Sequence, residues 1–180
     1  MSAPVAKILV QVCGPEVRAR ICGRANFAAS PDFKSLIEAM ETRGFRQFAL
    51  DLKDCQIMDS TFVGVLASLG GRIKDAGGEA FVELANPNER VAELLDDLGI
   101  ADLFRISGRD FSGLAAEQQV DCSSEGHSKA EMSRTSLDAH EKLMAMNPDN
   151  VVKFKEVTEF LAEDLRRMSA EGGAGPRANT

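Results

Sequence analysis

The residues best placed to do chemistry are three consecutive ones, Asp59, Ser60 and Thr61. They stand where a short connection meets an apolar stripe of helical spacing, Phe62, Leu66, Leu69 and Ile73. A serine at such a junction can be a helix cap, since Asp and Ser are common N-caps worth about 1 kcal/mol. Its hydroxyl also lies where added negative charge would be tolerated, because a helix N-terminus offers free N–H groups and the positive end of the dipole. Thr61 reads as a first-turn residue. Asp59 reads as the group that orients the loop and the neighbouring hydroxyl.

The remaining reactive side chains do not assemble into a catalytic pattern. Cys55 lies near Asp54 and Asp59, acids that would raise its pKa, and no histidine is close in sequence. The four cysteines, Cys13, Cys22, Cys55 and Cys122, form no C-x-x-C pair. His127 and His140 fall in a linker and an extension, so neither a zinc site nor a Ser-His-Asp constellation is expected. The thiols are expected to be free, as in a reducing cytosol. Neither G-x-x-x-x-G-K-[ST] nor a post-strand G-x-G-x-x-G occurs. The expectation is no enzyme, no cofactor and no metal.

Composition narrows the partners. The chain of 180 residues has a formal net charge of −7, which argues against nucleic acid and against an anionic membrane surface. Trp and Tyr are absent, which leaves no evident base-stacking platform. No run approaches the ~18 apolar residues of a membrane span, and the N-terminus lacks a secretory core. A cytoplasmic location is expected. The hydrophobic fraction of 44% suffices for a real core.

Periodicity supplies the elements that must position Ser60. Strands are expected at Lys7–Cys13 and Val17–Ile21, with a loop from Gly23 to Ser30. Ser30 reads as the cap of a helix with Pro31 at its first position and Phe33, Leu36, Ile37 and Met40 on its apolar face. A strand at 45–52, a connection at 54–59, a helix at 60–75 and a strand at 79–84 follow. Asn86 reads as the cap of a further helix bearing Val91, Leu94, Leu95 and Leu98. A last apolar piece spans 100–106. The order β-β-α-β-α-β-α predicts an α/β domain, a mixed sheet covered by helices, over residues 1–111. Residues 112–128 read as a linker and 129–168 as a helical extension. Within the extension, Ser128 and Glu131 form a capping box, and Asn147 caps a second helix with Val151, Phe154, Thr158, Leu161 and Leu165 buried. Residues 169–180 read as a disordered tail.

Across residues 5–107 the chain resembles the STAS family, named for sulfate transporters and anti-sigma factor antagonists. Asp59-Ser60-Thr61 is similar to the D-S-[ST]-G-L-G signature, and the Gly77-Gly78 break and the Leu98-Gly99 … Leu103-Phe104 ending follow in order. Phe62 replaces the signature's first glycine. The resemblance implies an anti-sigma factor antagonist whose serine, here Ser60, is phosphorylated by a partner serine kinase, with Asp59, Ser60, Thr61 and Phe62 facing the partner. Phe62 could anchor that partner or simply turn inward along its stripe. Members of the family also serve as accessory subunits of transport ATPases or signalling assemblies, which is the alternative. For the extension, docking on its own domain, a homodimer contact, a partner-binding arm and a cover over Ser60 all stay open.

Overall fold

The computed structural model describes residues 4–173. The chain runs β1 (Ala6–Cys13), β2 (Glu16–Ala25), α1 (Ser30–Thr42), β3 (Gln47–Asp51), β4 (Cys55–Met58), α2 (Ser60–Ala76), β5 (Phe81–Ala85), α3 (Glu89–Asp97), a one-turn 3-10 helix (Ala101–Leu103), β6 (Arg105–Ser107), β7 (Gln118–Cys122), α4 (Lys129–Met146) and α5 (Asn150–Gly172). Six strands lie in the order β6-β5-β3-β2-β1-β7, and β4 adds to the end of β2. The β2–β3, β2–β4, β3–β5 and β5–β6 pairs are parallel, while β1 pairs antiparallel with both β2 and β7.

The two faces of the sheet differ because strand side chains alternate. Val17, Ala19 and Ile21 of β2, Phe48 and Leu50 of β3, and Val82 and Leu84 of β5 are buried in one large core. The buried residues of the helices, among them Phe33, Phe62, Val91, Leu95 and Leu143, join the same core. The opposite face carries Ala49 and Ala85 under Phe111. Around them Arg109 pairs with Glu16 at 2.9 Å and Glu83 at 3.1 Å, and Arg20 pairs with the buried Asp51 at 2.9 Å. Helices therefore cover one face, and a charged belt finishes the other.

Several expectations are corrected. The loop expected after Ile21 continues β2 to Ala25, because a register shift at Gly23 lets β2 leave β3 and pair with β4. Gly23 has φ +94°, and a Cβ there would sit 2.8 Å from the Val5 carbonyl oxygen, so glycine is required. The connection at 54–59 thus holds a strand. Ser30 does not cap α1; it is fully buried and donates its hydroxyl to the Asn26 carbonyl. Asn88, not Asn86, caps α3. Asn86 takes φ +57° and reaches Asp51 and the Arg109 carbonyl instead.

The expected linker at 112–128 contains β7, an edge strand zipped to β1 from Ala6↔Cys122 to Val10↔Gln118. The sheet therefore extends past residue 111. Asp149 rather than Asn147 precedes α5, Val151 is 41% exposed, and α5 continues through Gly172 into the stretch expected to be disordered. The rest of that expected tail, 174–180, lies outside the described residues.

Candidate functional site

The register shift in β2 delivers β4 to the end of the sheet, and β4 delivers Asp59. The Asp59 N–H donates to the Ala25 carbonyl at 3.0 Å. Its carboxylate accepts from two backbone N–H groups, Phe62 at 2.9 Å and Phe27 at 2.6 Å. One side chain thereby caps α2 and holds the 26–29 loop beside it. Capping falls to Asp59 alone, which leaves Ser60, the first residue of α2, with a hydroxyl that the helix does not use.

That hydroxyl meets a residue 80 positions away, His140 of α4, with Ser60 Oγ 2.8 Å from His140 Nε2. The other ring nitrogen, Nδ1, lies 2.7 Å from the Ser136 carbonyl oxygen. A carbonyl only accepts, so Nδ1 carries the ring proton. Nε2 of the neutral ring is then the acceptor and Ser60 the donor. Burial lowers the His140 pKa; the hydrogen bond to Ser136 and the charge of Asp59 oppose that shift without overcoming it. The ring of Phe154 from α5 packs against the imidazole at 4.9 Å between centroids.

The four residues expected to form one partner surface separate. Asp59 and Ser60 are partly exposed. Thr61 is buried, its hydroxyl 3.0 Å from that of Ser136. Phe62 has no exposed surface and stacks on Phe33 of α1 with ring centroids 4.4 Å apart. It cannot anchor a partner, because its position on the apolar stripe turns it between α1 and α2.

The sequence places His140 in the extension and Ser60 in the domain, and the fold joins them. A signal was present: Ser133, Ser136, His140 and Leu143 recur at helical spacing, and all four are buried. Small and polar residues on the inner stripe of a helix mean a close approach to something polar. The partner position is Gly64, where an added Cβ would lie 2.6 Å from Cβ and from the carbonyl oxygen of Ala139.

Other groups offer less. Burial pushes the thiol of Cys55 up to about 11 and that of Cys122 up to about 12. Cys55 is thus inert, through burial rather than through the acids beside it in sequence. A depression of about 590 Å³ at the carboxyl ends of β3 and β5 is lined by Arg20, Asp51, Lys53, Asn86, Arg109 and Asp110. Its two arginines are committed to Asp51, Glu16 and Glu83. Among the described residues no group of three or more His, Cys, Asp or Glu side chains could hold a metal ion, and no helix is long and apolar enough to cross a membrane.

Comparison with known proteins agrees with this architecture. A family model described as the STAS domain matches residues 14–109, more than half of the 180-residue chain. The anti-sigma-B factor antagonist of Bacillus subtilis (strain 168) is 27% identical over 99 residues, which are 55% of this chain and 88% of that protein. The crystal structure of an anti-sigma factor antagonist from Mycobacterium paratuberculosis superposes with a TM-score of 0.52 at 16% identity, covering 61% of this chain and 92% of that one. A Thermotoga maritima structure assigned provisionally to the same class gives 0.52 at 22% identity, covering 59% and 89%. At these identities the two structures speak for the fold.

Proposed function

The chain belongs to the STAS domain family, and from that premise we propose that it acts as an anti-sigma factor antagonist switched by phosphate on Ser60. Unmodified, it binds an anti-sigma serine kinase; phosphorylated, it does not. One observation carries this reading. Ser60 opens α2 with a hydroxyl that its own helix does not need, because Asp59 makes the cap. A phosphate on Ser60 would sit at the positive end of a 17-residue helix, so the domain can tolerate it. The same dianion at the centre of an interface would lose its water without a counter-charge, a penalty of about 2–5 kcal/mol. No rearrangement of the sheet is needed to turn binding off. The protein is on this account a binding protein of the cytosol, not an enzyme.

The test is direct. The protein is incubated with an anti-sigma serine kinase and ATP, and its intact mass is followed. We expect one added phosphate, absent from Ser60→Ala, and at least about tenfold weaker kinase binding by Ser60→Asp in calorimetry. No mass change, together with undiminished binding by Ser60→Asp, would overturn the proposal.

A further inference from the structure

The region around Ser60 is partly covered by this chain's own helices, and the chemistry of that contact differs along α4. Toward the C-terminal end of α4, Leu143 has no exposed surface and Met146 packs on the core. The elbow beyond it is pinned, because Asn147 and Asn150 both donate to the Leu98 carbonyl and Lys153 to that of Asp97. Nearer its start the contact with the domain is largely polar, apart from Ala139 packed on Gly64, and the lead-in to the helix is held by His127 to Asp32 of α1. Ser133, Thr135, Ser136 and His140 are buried there, and two of them bond the hydroxyls of Thr61 and Ser60. Groups of this kind regain water when they separate, so parting them costs much less than exposing the same area of leucine. The seat is also incompletely filled. A cleft of about 210 Å³ remains between α1, α2 and α4, lined by Lys34, Ile37, Val65, Thr135 and Asp138 among others.

The bond at Ser60 holds only for the unmodified serine. Nε2 of His140 accepts the hydroxyl proton, and a phosphoserine has no such proton. Two atoms 2.8 Å apart also leave no room for a phosphorus between them. A phosphate on that side of Oγ would push the imidazole back, yet Ser136 holds it from behind and Phe154 packs against its face. Since Ser136 and His140 share one helix, the ring and the helix must move together.

We propose that the first part of α4 is a self-inhibitory cover, latched by His140 to unmodified Ser60, which lifts before a partner reaches Ser60 and cannot reseat once Ser60 is phosphorylated. This rests on Ser60 being the switch residue. A partner then meets only the open fraction of the protein, and its apparent affinity falls by that fraction.

Backbone hydrogen exchange followed by mass spectrometry on the full chain tests the cover. Three variants are compared with wild type: Ala139→Leu, which wedges α4 away from Gly64; His140→Ala, which removes the latch; and Ser60→Glu, which removes the proton and adds charge. Each should speed exchange over residues 129–140 by about 5- to 30-fold and leave β1, β2 and β3 as in wild type. Unchanged exchange over 129–140 in Ala139→Leu and Ser60→Glu would overturn the cover. So would acceleration of the sheet and α4 together, since α4 would then be a fixed part of the fold. A kinase assay separates this proposal from the one beneath it. Faster phosphorylation of Ala139→Leu than of wild type supports the cover, and equal rates on both overturn it while leaving Ser60 as the switch. If α4 opens as expected and neither protein gains phosphate, the Ser60 reading falls and takes the self-inhibitory role with it, although the opening of α4 itself is then established.

Discussion

Asp59 is the residue on which the site's geometry depends. Its two carboxylate oxygens are divided between the first turn of α2 and the loop before α1, through the N–H groups of Phe62 and Phe27. An ionised acceptor makes the stronger class of hydrogen bond, about 1.5–3 kcal/mol each. Asp59→Ala should lower stability by about 2–5 kcal/mol, about 0.5–2 for the cap and about 1.5–3 for the loop tie. Asp59→Asn should recover about half, because its one carbonyl oxygen can replace one carboxylate oxygen while its amide would face an N–H. Urea unfolding of the three proteins checks the order; a wild-type midpoint for Asp59→Ala would show that other contacts hold the loop. Ser60 was legible in the sequence because capping residues and helical periodicity are local signals. His140 was not, because nothing local says which strand end a distant helix will meet.

At the scale of elements, legibility followed the strength of the pattern. α1 and α2 bury residues at 3- and 4-residue spacing, and each lies close to where the apolar stripe placed it. β4 and β7 carried weaker marks. Cys55–Met58 has four residues, two of them exposed, and Gln118–Cys122 is an edge strand with one fully buried side chain. Their partners are β2 and β1, far off in sequence, and pairing rather than propensity makes them strands. Phe62 shows the reverse case, in which a local pattern outweighed the family signature. Its ring fills the space between α1 and α2 against Phe33. Phe62→Gly would restore the signature residue, yet it should destabilise the protein by about 3–5 kcal/mol, because the helices cannot close the void fully. A neutral result in urea or thermal unfolding would mean that Phe33 repacks into the gap.

Across the whole molecule, two of the contacts that hold the last two helices to the domain turn on a histidine. His127 presents both ring nitrogens to carboxylates, Nε2 to Asp32 at 2.9 Å and Nδ1 to Glu131 at 3.1 Å. Burial works against its charged form, but the two acids outweigh burial and its pKa is raised. His140, facing Asp59 as its charged neighbour, is shifted down by burial. The two shifts tilt stability in opposite directions. A raised pKa favours the folded state at low pH; that contribution is complete below about 6.5, the unfolded value, and disappears as pH rises through the folded value. A lowered pKa does the opposite: its contribution is complete above about 6.5 and shrinks as pH falls toward the folded value. In the wild type the two partly cancel. His127→Gln should leave a protein that loses stability as pH drops below about 6.5, and His140→Gln one that loses stability as pH rises above it. Urea midpoints between pH 5 and 8 measure both slopes. Parallel profiles for the two variants would mean that these histidines do not titrate against the contacts described, whereas divergent ones would show that the lead-in to α4 and the helix itself are held by opposite protonation states.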